Sequence, residues 1–408
     1  MSDIERALDG IPDELQKLLK EISQKCHDLD FKAYIVGGAV RDMLLGVKFT
    51  DVDITVVGDA LRLAEALKDS YGYRSEEHPF FKTVTLDTGG QYSIDIATAR
   101  RETYSNPAAL PEIYPSGLYD DLSRRDFTIN TMAVAMDNFR FVDYFGGYSD
   151  LCNGLIRVLH DISFVDDPTR ILRGIRLEIR YGFRMDDKTE KLMKESIKAK
   201  YPMALSSERI LTEMELILSE PRSISMLGRV EETGLWKMLS GKSFISPLTY
   251  RKLEGIKTSR KNRLLFAALA LLEDIRDEGL LFGRYRACFK ELEAYRTREN
   301  SLGLPVQERM LENGLLYRLF TGTEDKVLEY LYVTAVSEQF RKNLRRYSQE
   351  VKDFKFYFDG RTLESFGIEP GPRYKDLLER ARFKMVERSA TDRQAQLWLL
   401  KEMLQKGE

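Results

Sequence analysis

The feature that most constrains this chain is a change of texture near residue 160. Before it, short β-rich runs at 33–36, 52–57, 83–86, 92–97 and 132–136 are punctuated by Gly37-Gly38, Gly89-Gly90 and Gly146-Gly147. An amphipathic stretch over 12–26, with Leu15, Leu18, Leu19 and Ile22 at helical spacing, and a helix over 59–70 accompany them. Beyond that point the strand signal vanishes. Helical periodicity covers 167–183, 187–198, 206–219 (Ser206 as N-cap) and 223–238. It resumes over 262–275, 280–298, 305–319, 324–336, 338–352, 373–387 and 391–405, with breaks at Pro247, Pro305 and Pro370-Gly371-Pro372. The order predicts an α+β protein: a small head with a mixed sheet, then a long all-helical remainder.

Composition narrows the function classes. The 408 residues suffice for two to four domains, and 43% hydrophobic with 31% charged residues excludes a disordered chain. Lys plus Arg number 63 and Asp plus Glu 65, a net of −2, so a polyanion would have to be met by a local patch. Cys26, Cys152 and Cys288 lack paired spacing, which excludes a disulfide scaffold and a Cys-only zinc site and fits a reducing cytoplasm. With only His27, His78 and His160, a HExxH zinc hydrolase is excluded and a histidine-rich metal phosphohydrolase is disfavoured. No apolar run is long enough to predict a membrane span.

Three clusters carry chemistry. In the first, Gly37-Gly38 opens a helix, where exposed N–H groups suit a phosphate. Arg41-Asp42 follow, and then Asp51-Val52-Asp53, whose two carboxylates share one face of a strand. Asp95, on another strand, could supply a third. Carboxylates in this arrangement suit two Mg²⁺ ions and nucleotidyl transfer. A lone Asp-x-Asp or Gly-Gly is common; their combination is specific. The second cluster is Arg124-Arg125-Asp126-Phe127-Thr128-Ile129-Asn130. It reads either as a charged turn with Asp126 capping a helix, or as Asp126 and Asn130 on one helical face addressing a ribose. The third is Asp166-Asp167-Pro168-Thr169-Arg170, followed by Arg173 and Arg176. Either aspartate could merely cap a helix begun by Pro168, while Asp167 with Arg170 complements the Watson–Crick edge of a base. The spacing is not G-x-G-x-x-G, which speaks against a dinucleotide oxidoreductase.

In this order the clusters resemble the class II tRNA nucleotidyltransferase and bacterial poly(A) polymerase family, over about residues 33–176. Ser207-Glu208-Arg209-Ile210 and Gly367-Ile368-Glu369-Pro370-Gly371-Pro372 resemble its neck and tail more loosely. The resemblance implies a head of the DNA polymerase β nucleotidyltransferase type at 1–150, a base-selecting neck at 151–245, a body at 246–355 and a tail at 356–408. It implies CCA addition to a tRNA 3′ end from CTP and ATP. In that scheme Asp51 and Asp53 hold catalytic Mg²⁺ with Asp95 as third carboxylate, and Gly37, Gly38 and Arg41 lie by the triphosphate. Arg125, Asp126 and Asn130 select the ribose, Asp167 and Arg170 template the base, and Arg173 joins the nucleotide-binding set. Position 166 departs from the family's usual Glu, which bears on fine positioning. The 100–121 segment is expected as a long surface loop, one that in the family helps switch base selection.

Two basic runs would supply local RNA contacts: Arg251, Lys252, Lys257, Arg260, Lys261 and Arg263, and then Arg341-Lys342-Asn343-Leu344-Arg345-Arg346. Each could equally be a solvated helix face. The tail is expected at the tRNA elbow; no protein partner is implied. Partial-activity relatives adding only CC or only A, a poly(A) polymerase, and a catalytically silent RNA-binding module are the competing readings.

Overall fold

The computed structural model describes residues 10–103, 106–109, 111–275, 283–369, 371 and 374–406. It divides into two compact units, Met1–Ser243 and Phe244–Glu408.

The first unit is built on a seven-stranded sheet of order β3-β4-β5-β2-β1-β8-β9. Its strands are β1 (Lys32–Val36), β2 (Asp51–Val57), β3 (Arg74–His78), β4 (Thr83–Asp87), β5 (Ser93–Thr98), β8 (Ala133–Ala135) and β9 (Phe141–Val142). Only β2 and β5 are parallel neighbours, so the sheet is mixed, as expected. Strand alternation divides the residues of β2. Val52, Ile54 and Val56 are buried, whereas Asp51 and Asp53 open to the other face. Helices α1 (Asp13–Asp28) and α3 (Ala60–Tyr71) pack together along the sheet's buried side, Leu15, Leu19, Ile22, Leu63 and Leu67 being fully enclosed. On the cleft side lie α2 (Gly38–Leu44) and α4 (Leu118–Ser123), the latter seated by Leu118 and Leu122 against Val36 and Ala133.

The polar strand β3 escaped the periodicity because an edge strand need bury nothing; its five residues are half-exposed or exposed. The 100–121 segment is not a simple excursion. β6 (Arg100–Thr103) pairs antiparallel with β7 (Glu112–Pro115), and α4 follows.

The head passes into helices through α5 (Gly147–Cys152), a two-residue parallel ladder of β10 (Leu155–Ile156) with β11 (Arg184–Met185), and α6 (Ser163–Asp166). Next come α7 (Thr169–Tyr181), α8 (Asp187–Lys198), α9 (Ser207–Leu218), α10 (Ser223–Glu232) and α11 (Leu235–Ser240). The single helix expected over 223–238 is two, because Gly234 adopts φ +81 between α10 and α11.

The second unit contains α12 (Pro247–Gly255), α13 (Arg260–Leu272), α14 (Arg286–Leu302), α15 (Asn313–Phe320), α16 (Asp325–Thr334), α17 (Glu338–Arg346), α18 (Gly360–Ser365), α19 (Tyr374–Glu387) and α20 (Arg393–Lys406). Pro247 starts a helix where a break was expected, standing at its first position behind the Ser246 cap. The helix expected from 305 begins only at Asn313. Fully buried Asn343 takes over the unwound backbone: its amide donates to the Val306 and Arg309 carbonyls and its oxygen accepts from Leu311 N–H. Pro370 and Pro372 of the expected turn lie outside the described residues.

One backbone contact ties α5 to the turn after α4 that lines the site. A Cβ at Gly147 would collide with the main-chain carbonyl of Thr128. Gly147→Ala is therefore expected to cost about 2 kcal/mol of stability, despite alanine's better helix propensity, in a urea unfolding titration.

Candidate active site

The cleft, about 670 Å³, is lined by residues of β1, β2, β4, β5, α2, α7 and the turn at 124–130. Asp53 stands opposite Asp95 in the parallel pair, and Asp51 precedes it by two residues on the same face. Burial, with Asp95 and Asp51 adding to it and Arg125 opposing, holds the Asp53 carboxyl above its ordinary range. Asp95 Oδ1 accepts from the Thr85 hydroxyl at 2.5 Å. Among the described residues no three metal-ligating groups close on one point, so the expected three-carboxylate cradle is not preassembled. Asp51 lies outside the cleft lining that includes Asp53 and Asp95. Paired hard carboxylates under mutual repulsion nevertheless fit Mg²⁺, which takes one or two of them and completes its shell with water and phosphate oxygens.

Gly37 adopts φ +72, and a Cβ there would stand 2.6 Å from Arg125 Nη1. Glycine is thus what lets the guanidinium lie against the β1–α2 turn, and the same Cβ would stand 3.4 Å from Asp53 Oδ2. Gly38 follows as the first residue of α2. The lining includes seven arginines: Arg41, Arg124, Arg125, Arg170, Arg173, Arg176 and Arg180. The buried Nε atoms of Arg125 and Arg176 have no hydrogen-bond partner.

Asp121, on α4, was missed in the sequence. It is fully buried and accepts from Arg124 Nη2 at 2.7 Å, Arg125 Nη2 at 3.2 Å and the Thr55 hydroxyl at 3.1 Å. Although burial works against it, the guanidiniums of Arg124 and Arg125 hold its carboxyl below the ordinary range. Arg124 also reaches Glu102 of β6 at 3.0 Å.

Asp126 and Asn130 meet, but not on an α-helical face: residues 128–130 form a tight 3-10 turn because Phe127 enters extended. Asp126 Oδ1 accepts from Asn130 Nδ2 and Phe127 N–H, both at 2.8 Å; Oδ2 accepts from Arg173 Nε at 2.9 Å. Burial opposes, but Arg173 and Asn130 hold this carboxyl far below the ordinary range. Arg173, expected on the nucleotide, thus spends its fork on Asp126. Arg41 donates to Asn130 Oδ1 at 2.6 Å and to Tyr181 Oη at 2.8 Å, with its guanidinium 4.8 Å from the Tyr181 ring centre. Tyr181, also missed, donates to Asp42 Oδ1 at 2.7 Å.

Asp167 and Arg170 both line the cleft but are held separately. Asp167 Oδ1 accepts from Thr169 N–H and hydroxyl, as the capping reading expected, and from Arg209 Nη2 at 2.7 Å. Arg170 donates to Ser163 Oγ and to the Arg124 carbonyl. Arg209 also donates to the Ala108 carbonyl at 3.0 Å, anchoring the β6–β7 connection beside Asp167.

In the second unit Arg251, Lys257 and Arg263 are exposed, and the side chains of Arg260 and Lys261 lie outside the described ones. Lys252 is instead buried against Glu273. Arg345 lies over Tyr332, whereas Arg346 is turned inward: its guanidinium donates to the Leu311 carbonyl and Asn313 Oδ1. Cys26, Cys152 and Cys288 are free thiols. No helix among the described residues is long and apolar enough to cross a membrane.

A mixed sheet presenting paired carboxylates to an arginine-lined cleft, with helices behind it, defines a nucleotidyltransferase. The poly A polymerase head domain model matches residues 33–157. An A-adding tRNA nucleotidyltransferase of Geobacter sulfurreducens is 32% identical over 398 residues, 91% of this chain and 45% of that protein. One of Halalkalibacterium halodurans is 32% identical over 380 residues, 90% of this chain and 87% of that protein. A CC-adding tRNA nucleotidyltransferase of Deinococcus radiodurans is 34% identical over 233 residues, 55% of this chain and 60% of that protein. Among solved structures, a CCA-adding enzyme in apo form II superposes with TM-score 0.75 at 29% identity, covering 99% of each chain. The Thermotoga maritima CCA-adding enzyme complexed with tRNA does so with TM-score 0.67 at 28% identity, covering 100% of this chain and 99% of that one. The chain belongs to the tRNA nucleotidyltransferase family.

Asp121→Asn should cost about 2–4 kcal/mol by leaving the half-buried Arg125 without its carboxylate and Arg124 with Glu102 alone. It should also lower nucleotide incorporation about a hundredfold through misplaced Arg124 and Arg125. The wild-type carboxyls of Asp121 and Asp126 protonate less readily folded than unfolded. Their contribution is therefore present above about pH 4 and is lost as the medium becomes more acidic. Urea midpoints between pH 6 and pH 3 are expected to fall for the wild type, and to fall less for Asp121→Asn.

Proposed function

We propose that this chain extends the 3′ end of tRNA without a nucleic-acid template, and that the nucleotide it adds is the terminal adenylate. The observation that carries the choice of adenylate is the span of relatedness. Two proteins named A-adding align with 91% and 90% of this chain and a third with 48%, whereas two named CC-adding align with 55% and 64%. Full CCA addition is the second reading, favoured by the near-complete superposition on CCA-adding enzymes. Under either reading the cytoplasm is the proposed place where the protein meets its tRNA substrate.

Asp51 and Asp53, with Asp95 alongside, would hold the Mg²⁺ ions. When bound, those ions acidify the RNA 3′-hydroxyl and offset the charge on departing pyrophosphate. The chain's own residues position the reactants. Arg125, pressed against Gly37, and Arg41 of α2 would face the triphosphate beside Gly38. Because the Asp126 carboxylate already receives four donors, its contribution to ribose selection is to fix Asn130 and Arg173 in place. Asp167, steadied by Arg209, and Arg170, steadied by Ser163, offer an acceptor and a donor to the base edge. Arg251, Lys257, Arg263 and Arg345 remain the surface cations for RNA phosphates, and the tail at 356–408 the contact for the tRNA elbow.

The test uses tRNA transcripts ending at the discriminator base, at C and at CC, incubated with Mg²⁺ and labelled CTP, ATP or both. Extension of the CC transcript alone, by one A, is expected. Completion of all three to CCA would establish the second reading, and stopping at CC would overturn both. Long A tails would indicate a poly(A) polymerase. No incorporation by the wild type would leave an RNA-binding module. With Asp51→Ala, incorporation should disappear while transcript binding persists.

A further inference from the structure

The β3–β4 hairpin ends in a four-residue turn, Pro79-Phe80-Phe81-Lys82, closed by the His78–Thr83 pair. Two phenyl rings project from it: Phe80 is 78% exposed and Phe81 41%, their centres 5.0 Å apart edge to face. The turn is fixed. Phe81 and Lys82 N–H donate to the His78 and Pro79 carbonyls, and Thr98 N–H donates to the Lys82 carbonyl at 3.1 Å. Arg100 Nη1 donates to the Phe81 carbonyl at 2.9 Å. Lys82 itself is left-handed, at φ +51, a conformation that costs energy in a residue with a Cβ. A chain that orders a turn this firmly yet leaves both rings in water presents them to something.

The position of the turn says what. β4 runs from it straight into the active cleft, where Thr83 and Thr85 form part of the lining and Thr85 binds Asp95. Arg100, which secures Phe81, also pairs with the lining residue Glu102. The rim is therefore continuous with the site at which the growing end is held. Lys82 and Arg100 favour a polyanion, but Glu76 stands beside Thr85 on the edge strand and disfavours close phosphates there. Exposed aromatic rings flanked by mixed charge suit the faces of unpaired bases better than a sugar–phosphate backbone.

We propose that Phe80 and Phe81 form a stacking platform for the unpaired nucleotides at the 3′ end of the acceptor RNA. The proposal rests on the reading of the cleft as one that extends an RNA end. Phe80→Ala/Phe81→Ala should raise the KM for the CC-ending transcript about tenfold, leaving the KM for ATP and the thermal midpoint unchanged. Phe80→Trp should retain the wild-type KM, because stacking survives. The tenfold effect should shrink on a hairpin acceptor with a blunt end. An unchanged RNA KM in the double variant, or an equal rise in the KM for ATP, would overturn the platform while the wild type still incorporates nucleotide. A shift in sedimentation without a change in RNA KM would assign the rings to self-association and overturn it too. A wild type that incorporates nothing removes the reading of the cleft, and the platform with it.

Discussion

A carboxylate without water has to be neutralised by the protein around it, and Asp121 is that carboxylate here. Fully enclosed on the inner side of α4, it is tolerable because two guanidiniums, a threonine hydroxyl and the Arg100 N–H converge on it. The constraint acts in both directions. Arg124 and Arg125 would otherwise swing on flexible stems. Bound to Asp121, they are held at a set distance from β2, since Thr55, the third partner, is two residues beyond Asp53. The positive and negative halves of the cleft are thereby placed with respect to each other by a residue that lies outside its lining.

A second network joins the helices at 169–240 to the sheet. From α7, Arg173 reaches Asp126 and Tyr181 reaches Asp42, while Arg41 and Asn130 link the two ends into one chain of hydrogen bonds. Asp126 and Asn130, two of the three residues expected to read ribose, are saturated by it. Their local charge is spent on geometry, whereas the buried Nε atoms of Arg125 and Arg176 have no hydrogen-bond partner.

What could be read in the sequence follows from the range of the interactions. Gly37, Asp51, Asp53, Arg125, Asp126, Asp167 and Arg170 sit in short patterns whose chemistry depends on neighbours a few positions away. The mixed sheet and the helical remainder were likewise visible in periods of two and 3.6. Asp121 is bound to Thr55 from 66 residues away, Arg209 to Asp167 from 42, and Tyr181 to Asp42 from 139. No local pattern announces such partners, although Asp121 also pairs with Arg124 and Arg125 three and four positions on, a spacing the sequence does show. Arg346 shows the opposite error: a basic run looks like a surface, yet one of its members caps a neighbouring segment of backbone. The helix that fails to form before Asn313 is a tertiary effect as well, because Asn343 offers that backbone hydrogen bonds the helix would have supplied.

The cationic side chains of the cleft lining are all arginine. Guanidinium stays protonated across any pH a cell reaches, and its planar fork keeps a fixed orientation toward oxyanions. Lysine would have offered a titratable amine and a target for acetylation. The positive charge of this cleft is therefore a constant of the fold. Acyl transfer to amines, a common way of silencing enzymes that bind phosphates, has no residue in that lining on which to act.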